Sequence, residues 1–298
     1  MFGDYLSPAL VDQMVETGEA PKPGVTETEV SAFFANMASY VAIAERLPLA
    51  QLREVMNAYF GACGDEIQAQ GGLIDKFIGD SVVAMFGAPL RTSDHALRAG
   101  VAALQVQKQI AQLREKYRTE DTWPEPAKAL RVRIGIHTGS VLLGNLGTAR
   151  RFNYTMMGDN VNLAARMESG AKSYGVWTMC TEATKVACDR VHARRILFRS
   201  LGRVIVKGRA HPIELFEPVA LKEDATDQVR ECVSVFEAGL ARWRERDWDG
   251  AIDLFGKSAR LERDQPGVSF GIQCNPSTVF LEMAQSFRAN PGSGPLVI

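Results

Sequence analysis

The sequence predicts a mixed α/β (α+β) domain followed by a helical extension. Three observations carry that expectation. Between residues 26 and 220, β-prone runs alternate with helical patterns of three- and four-residue period. Two of those runs, in "LIDKFIGDSVVAMFG", flank Gly79-Asp80, a two-residue hairpin signal. Beyond residue 220 the pattern is helical only. The chain therefore divides into an N-terminal helix and linker at 1–25, a principal domain at 26–220 and a tetratricopeptide-like helical extension at 221–298.

Taken in order, a short helix is expected over 7–17, then a Pro/Gly linker, "EAPKPGVTE", and a buried strand over 28–36. Residues 48–70 carry a helical stripe of Leu52, Val55, Met56, Tyr59, Phe60, Cys63 and Ile67, ended by Gly71-Gly72. After the hairpin, 93–117 reads as a second amphipathic helix and "LRVRIGIHTG" (130–139) as an alternating strand. "SVLLGNLG" and "RFNYTMMG" read as two further strands, and helix 160–172 starts after Asp159 as its N-cap. Strands at 176–180, 194–206 and 212–219 complete the sheet. In the extension, "FEAGLARWRERDWDGAIDLFGKSARL" reads as two helices around a turn, like one tetratricopeptide unit. A single unit cannot bury its own face, so it is expected to pack on the principal domain. A last helix covers "STVFLEMAQSFRAN", with a frayed end after it.

Bulk composition removes several function classes. The 298 residues are 46% hydrophobic and 23% charged, as in soluble globular proteins. A net charge of −1 gives no support to a nucleic-acid or membrane-surface role. The five cysteines, at 63, 180, 188, 232 and 274, form no CxxC pair, so a reducing cytoplasm is expected rather than a disulfide framework. No apolar run reaches the ~18 residues of a membrane span, and "MFGDYLSPALVDQM" lacks the basic region of a secretory signal.

Three places carry candidate chemistry. Asp80 sits at the hairpin tip, either as turn chemistry or as a hard-oxygen ligand for Mg²⁺. Asn162 and Arg166, four apart, share one helix face, either as a solvated polar stripe or as a phosphate contact. His137, alone after a strand, reads as structural.

Together these blocks resemble the class III adenylate/guanylate cyclases. "KFIGD", "RIGIHTG", "GNLG" and "YTMMGDNVNLAARME" match that family's motifs nearly residue for residue, and "VKGR" (206–209) matches its late strand. "FGDYLSPALV" looks like the segment preceding the catalytic domain in many bacterial members, so the likeness covers roughly residues 1–220; the helical tail resembles an extension seen in some of them.

The resemblance implies a ferredoxin-like, polymerase-palm-type fold working as a head-to-tail homodimer, or as a heterodimer with another cyclase chain. It implies ATP as substrate, converted to 3′,5′-cyclic AMP and pyrophosphate with two Mg²⁺ or Mn²⁺ ions per site. Carried over by position, Lys76 and Thr155 read adenine, Asn162 positions the ribose, Arg166 stabilises the transition state and Lys207 holds the terminal phosphates. A guanylate cyclase would carry Glu in place of Lys76, and a cyclic-dinucleotide synthase would need a GG(D/E)EF run that is absent.

Asp80 matches the second metal aspartate. The first falls at Asn36, and Met37 would add its backbone carbonyl. Where the family reads F-x-D-I-x-G-F-T, this chain reads Phe34-Ala35-Asn36-Met37-Ala38-Ser39-Tyr40-Val41. A neutral amide is a poorer ligand for a hard dication than a carboxylate. The resemblance thus carries two expectations: a cyclase with a weakened metal site, or a degenerate cyclase domain acting as a nucleotide-binding or heterodimerising regulatory module.

Overall fold

The computed structural model describes residues 22–148, 151–191, 195–206, 212–262 and 275–290. The helix expected at 7–17 and the chain end after 290 lie outside the described residues. One sheet contains β1 Gly24–Met37, β2 Leu73–Ile78, β3 Ser81–Phe86, β4 Val132–Thr148, β5 Arg151–Met157, β6 Thr178–Thr181, β7 Ile196–Val204 and β8 Ile213–Leu221. The helices are α1 Tyr40–Arg46, α2 Leu49–Ala69, α3 His95–Thr119, α4 Glu125–Lys128, α5 Asp159–Gly170, α6 Glu182–Val191, α7 Asp227–Arg244, α8 Trp248–Leu261 and α9 Pro276–Ala289. A 3-10 turn, Ala171–Tyr174, follows α5.

The strand order is β2-β3-β1-β4-β6-β8-β7, with β5 paired to the distal part of β4. With α2 after β1 and α3 after β3, the first four strands make the β-α-β-β-α-β arrangement of ferredoxin-like folds. The two-residue alternation of β1 sorts its side chains. Phe33, Ala35 and Met37 join Val55, Tyr59, Ile67, Val106 and Ile110 in a core under α2 and α3. Val30, Ala32 and Phe34 join Val83, Met85, Met156 and Ala164 on the other face, beneath α5. Asn36 continues that second row, so strand geometry brings it to the α5 side of the sheet.

Several sequence expectations need correction. The stretches 130–139 and 140–147 are one strand, because β4 pairs with β1 from Val132 to Asn145 without a break. The linker ends earlier than expected, since Gly24 already pairs with Asn145. Asp159 is the first helical residue rather than the N-cap; Gly158 takes the cap, at φ 141°. An acidic residue there still complements the helix dipole. Helices α1 and α6 were not expected; α1 follows Ser39, whose φ of 61° is left-handed.

The C-terminal helices share a core with the sheet. Leu163 and Met167 of α5, Tyr174 and Leu201 pack with Phe236, Phe255 and Phe280 of α7, α8 and α9. Strand β8 ends at Leu221, and the first of the C-terminal helices begins at Asp227. Arg199 on β7 is almost wholly buried and pairs with Glu262, after α8, at 2.5 Å and with Glu217 at 3.2 Å. Burial opposes its charge, but the two carboxylates more than offset that and hold the guanidinium pKa above its ordinary value. Cys63, Cys180, Cys188 and Cys232 are buried free thiols. No helix among the described residues is long and apolar enough to cross a membrane.

Candidate active site

The structure brings Lys76 and Thr155 together from different strands. Lys76 Nζ donates to Thr155 Oγ1 at 3.0 Å. Thr155 is buried, whereas the Lys76 side chain is 42% exposed. A third residue, missed in the sequence, completes the group: Thr155 Oγ1 donates to Asp75 Oδ2 at 2.7 Å, and Lys76 Nζ lies 3.4 Å from the same oxygen. Burial pushes the Asp75 carboxyl above the ordinary carboxylate value, opposed by the Thr155 hydroxyl and the Lys76 charge.

The hairpin holds Asp80 as its sequence requires. Ile78 pairs with Ser81, and Gly79 supplies the positive φ, 60°, of the two-residue turn. In the neighbouring ladder Asn36 faces Ser81, and Asn36 Nδ2 donates to Ser81 Oγ at 2.8 Å. Burial raises the Asp80 carboxyl pKa; backbone N–H groups of Asp80 and Met37, and the Arg133 charge, oppose it. Arg133 stands opposite Asn36 on β4 and pairs with Glu168 of α5 at 3.1 Å. Burial also raises the Glu168 carboxyl; Arg133 opposes this and the Asp80 charge adds to it. Thus Asn36, Asp80, Arg133 and Glu168 share one electrostatic neighbourhood.

Helix α5 carries Asn162 and Arg166. Its Leu163, Ala164 and Met167 are buried, leaving Asn162 exposed and Arg166 half-buried. The helix rests directly on β4 at Gly135, where a Cβ would meet Glu168 N at 2.1 Å and Ala164 O at 2.3 Å. His137 braces the start of the helix: its Nε2 lies 3.0 Å from Asn160 Oδ1 and its Nδ1 lies 2.7 Å from Thr181 Oγ1. Lys207 lies outside the described residues.

The donor set suits a hard dication in part. Asp80 offers one carboxylate, and the Asn36 amide nitrogen is committed to Ser81, which leaves its oxygen as the potential ligand. Among the described residues no group of three or more His, Cys, Asp or Glu is placed to hold a metal. One carboxylate with substrate phosphates is nonetheless within what Mg²⁺ sites use.

Comparison with known proteins places this geometry in a family. The profile described as "Adenylate and Guanylate cyclase catalytic domain" matches residues 25–217. "Adenylate cyclase 1" of Rhizobium meliloti (strain 1021) is 31% identical over 240 residues, covering 80% of this chain and 34% of that protein. Among solved structures, the adenylyl cyclase CyaB from P. aeruginosa superposes with a TM-score of 0.60 at 28% identity, over 68% of this chain and 100% of that one. The guanylyl cyclase Cya2 gives 0.58 at 28% identity, over 68% and 98%. The chain spans about a third of the length of the curated relatives it matches. With a family profile over most of its length and a fold shared with solved cyclase domains, the chain belongs to the adenylate and guanylate cyclase catalytic domain family.

Proposed function

We propose that this chain is an adenylate cyclase domain converting ATP to 3′,5′-cyclic AMP and pyrophosphate. The ribose 3′-oxygen attacks the α-phosphorus, a new O–P bond forms, the bond to the β-phosphate oxygen breaks, and the 3′-hydroxyl proton is lost. The observation that carries the reading is the Lys76–Thr155 contact at 3.0 Å. The Lys ammonium donates to a ring nitrogen, while the Thr oxygen accepts from an exocyclic amine, a pairing that adenine satisfies.

In this reading Asn162 orients the ribose, and Arg166 meets charge developing at the α-phosphate. Lys207 holds the terminal phosphates. Asp80, the Asn36 amide oxygen and the Met37 carbonyl would hold Mg²⁺ or Mn²⁺. When bound, the metal would neutralise triphosphate charge and ease ionisation of the 3′-hydroxyl. With one carboxylate replaced by an amide, Mn²⁺ supports more turnover than Mg²⁺, in line with its higher place in the divalent affinity order. The chain works as a head-to-tail homodimer in the reducing cytoplasm, with each site assembled from both subunits.

Asn36 favours one second reading, a regulatory module that pairs with a chain carrying both metal carboxylates. The deciding assay is cyclic nucleotide formation with Mn²⁺ from ATP and from GTP, for the parent and for Lys76→Glu. Cyclic AMP as the main product, with preference moving away from ATP in the variant, supports the proposal. Unchanged ATP selectivity in Lys76→Glu sinks the base assignment, and absence of product moves the regulatory reading ahead.

A further inference from the structure

We propose that Asp75 sets the nucleobase preference of this site by accepting the Thr155 hydroxyl proton, which leaves Thr155 Oγ1 as an acceptor toward the base. The inference rests on the adenine reading above and deepens it.

Adjacent residues on a regular strand point to opposite faces. Asp75 and Lys76 do not behave that way, for both reach the same Thr155 oxygen. The cause lies in the ladder with β3, whose register shifts between Ile74 and Lys76. Such a bulge inserts one extra residue and re-aims its side chain. The extra residue is Asp75, turned to the side of Lys76, with its side chain 2% exposed.

A hydroxyl has one proton and two acceptor lone pairs. In Thr155 the proton goes to Asp75 Oδ2 at 2.7 Å, and one lone pair receives Lys76 Nζ at 3.0 Å. One lone pair remains. A base with an N–H at that point gains a hydrogen bond; a base with a carbonyl oxygen there meets an acceptor. Adenine presents an exocyclic amine where guanine presents a carbonyl. Threonine alone is ambivalent, because its hydroxyl can turn to donate or accept. Asp75 removes that freedom.

A buried carboxylate is costly unless it is paired. The Met156 N–H adds a weaker electrostatic contact, but Asp75 Oδ1 has no hydrogen bond of ordinary geometry. Thr155 and Lys76 are therefore the hydrogen-bonded and ionic partners that its geometry serves. Asp75 is a positioning residue acting through Thr155, not a group that touches the substrate.

The test is competition by ATP and by GTP against a fluorescent ATP analogue bound to the full chain with Mn²⁺. The parent is expected to prefer ATP. Asp75→Ala and Asp75→Leu should each lower the ATP-over-GTP ratio about tenfold, the scale of one oriented hydrogen bond. Asp75→Leu guards against misfolding, because leucine leaves no cavity and the Lys76 ammonium left without its carboxylate is 42% exposed and stays hydrated. In a Thr155→Val background, Asp75→Leu should leave the ratio within about twofold, because no hydroxyl remains to orient. An equally large change there would show that Asp75 acts on strand β2 as a whole, and would overturn the proposal. A parent that prefers ATP with unchanged ratios in both single variants overturns the Asp75 role and leaves the adenine reading standing. A parent without preference for ATP overturns both.

Discussion

The contact between α5 and β4 at Gly135 makes a demanding prediction. A Cβ at this position would lie 2.1 Å from Glu168 N, 2.3 Å from Ala164 O and 2.8 Å from Glu168 Cα. These are backbone atoms of one helix, so no side-chain rotation relieves the clash. Ordinary contact begins near 3.4 Å, so α5 would have to retreat by about 1.3 Å. Overpacking of this kind costs about 1–3 kcal/mol. Asn162 and Arg166 ride on the same helix, and a displacement near 1 Å costs on the order of 100-fold in turnover when it misplaces catalytic contacts.

Gly135→Ala should therefore lower the urea midpoint and cut the turnover number far more than it raises KM. Gly256→Ala is the control, since a Cβ there has nothing within 4 Å. It lies inside a helix, so the change should stabilise by up to ~1 kcal/mol. Parent-like stability and turnover in Gly135→Ala would refute the claim that this contact positions the helix.

Other predictions follow from the same physics. Arg199→Met leaves Glu217 and Glu262 buried without their cation, and should cost ~3–5 kcal/mol. Because the core beneath α5 includes Phe236, Phe255 and Phe280, the loss should appear in one cooperative unfolding transition; separate melting of the C-terminal helices would contradict a shared core. Burial holds His95 below the ordinary histidine value of 6.5, with Glu29 and Asp94 opposing. A depressed pKa favours the neutral ring in the fold, so stability should fall as pH drops below 6.5, and urea midpoints should show a shallower fall in His95→Gln. Equal slopes would rule that out. Ser39 sits at φ 61°, a conformation that costs an L-residue ~1–2 kcal/mol, partly offset for glycine by its greater unfolded freedom. Ser39→Gly should gain about 0.5–1 kcal/mol by urea denaturation, and a loss would show that the serine hydroxyl outweighs the strain.

Much of this architecture is legible in the sequence because its signals are local. The Gly79-Asp80 turn, the stripe from Leu52 to Ile67 and the strand at 130–139 each declare themselves within a short window. Helix α1 spans seven residues and buries only Ile43, too little to set up a period. Helix α6 begins directly after β6 with no breaker between them. The outer half of β4 reads as a separate strand because Gly139-Ser140 looks like a turn; pairing with β1 along the whole length overrides that local preference. Asn36, Asp80, Lys76 and Thr155 are visible through motif order. Asp75 is not, because its role depends on a one-residue register shift and a partner 80 positions away. Ser39 stands where the family motif carries glycine, and its φ of 61° is a conformation that glycine takes without strain and serine does not, which a motif comparison alone does not show.

As proposed, this chain is a working cyclase whose metal site is weakened at Asn36. The direct measurement is cyclic AMP formation from ATP with Mn²⁺, comparing the chain with Asn36→Asp. The chain itself should form product, with a clear increase when the carboxylate is restored beside Asp80 and Ser81. Cyclic AMP from neither protein would contradict it, and would leave this domain a partner for another cyclase chain rather than an enzyme.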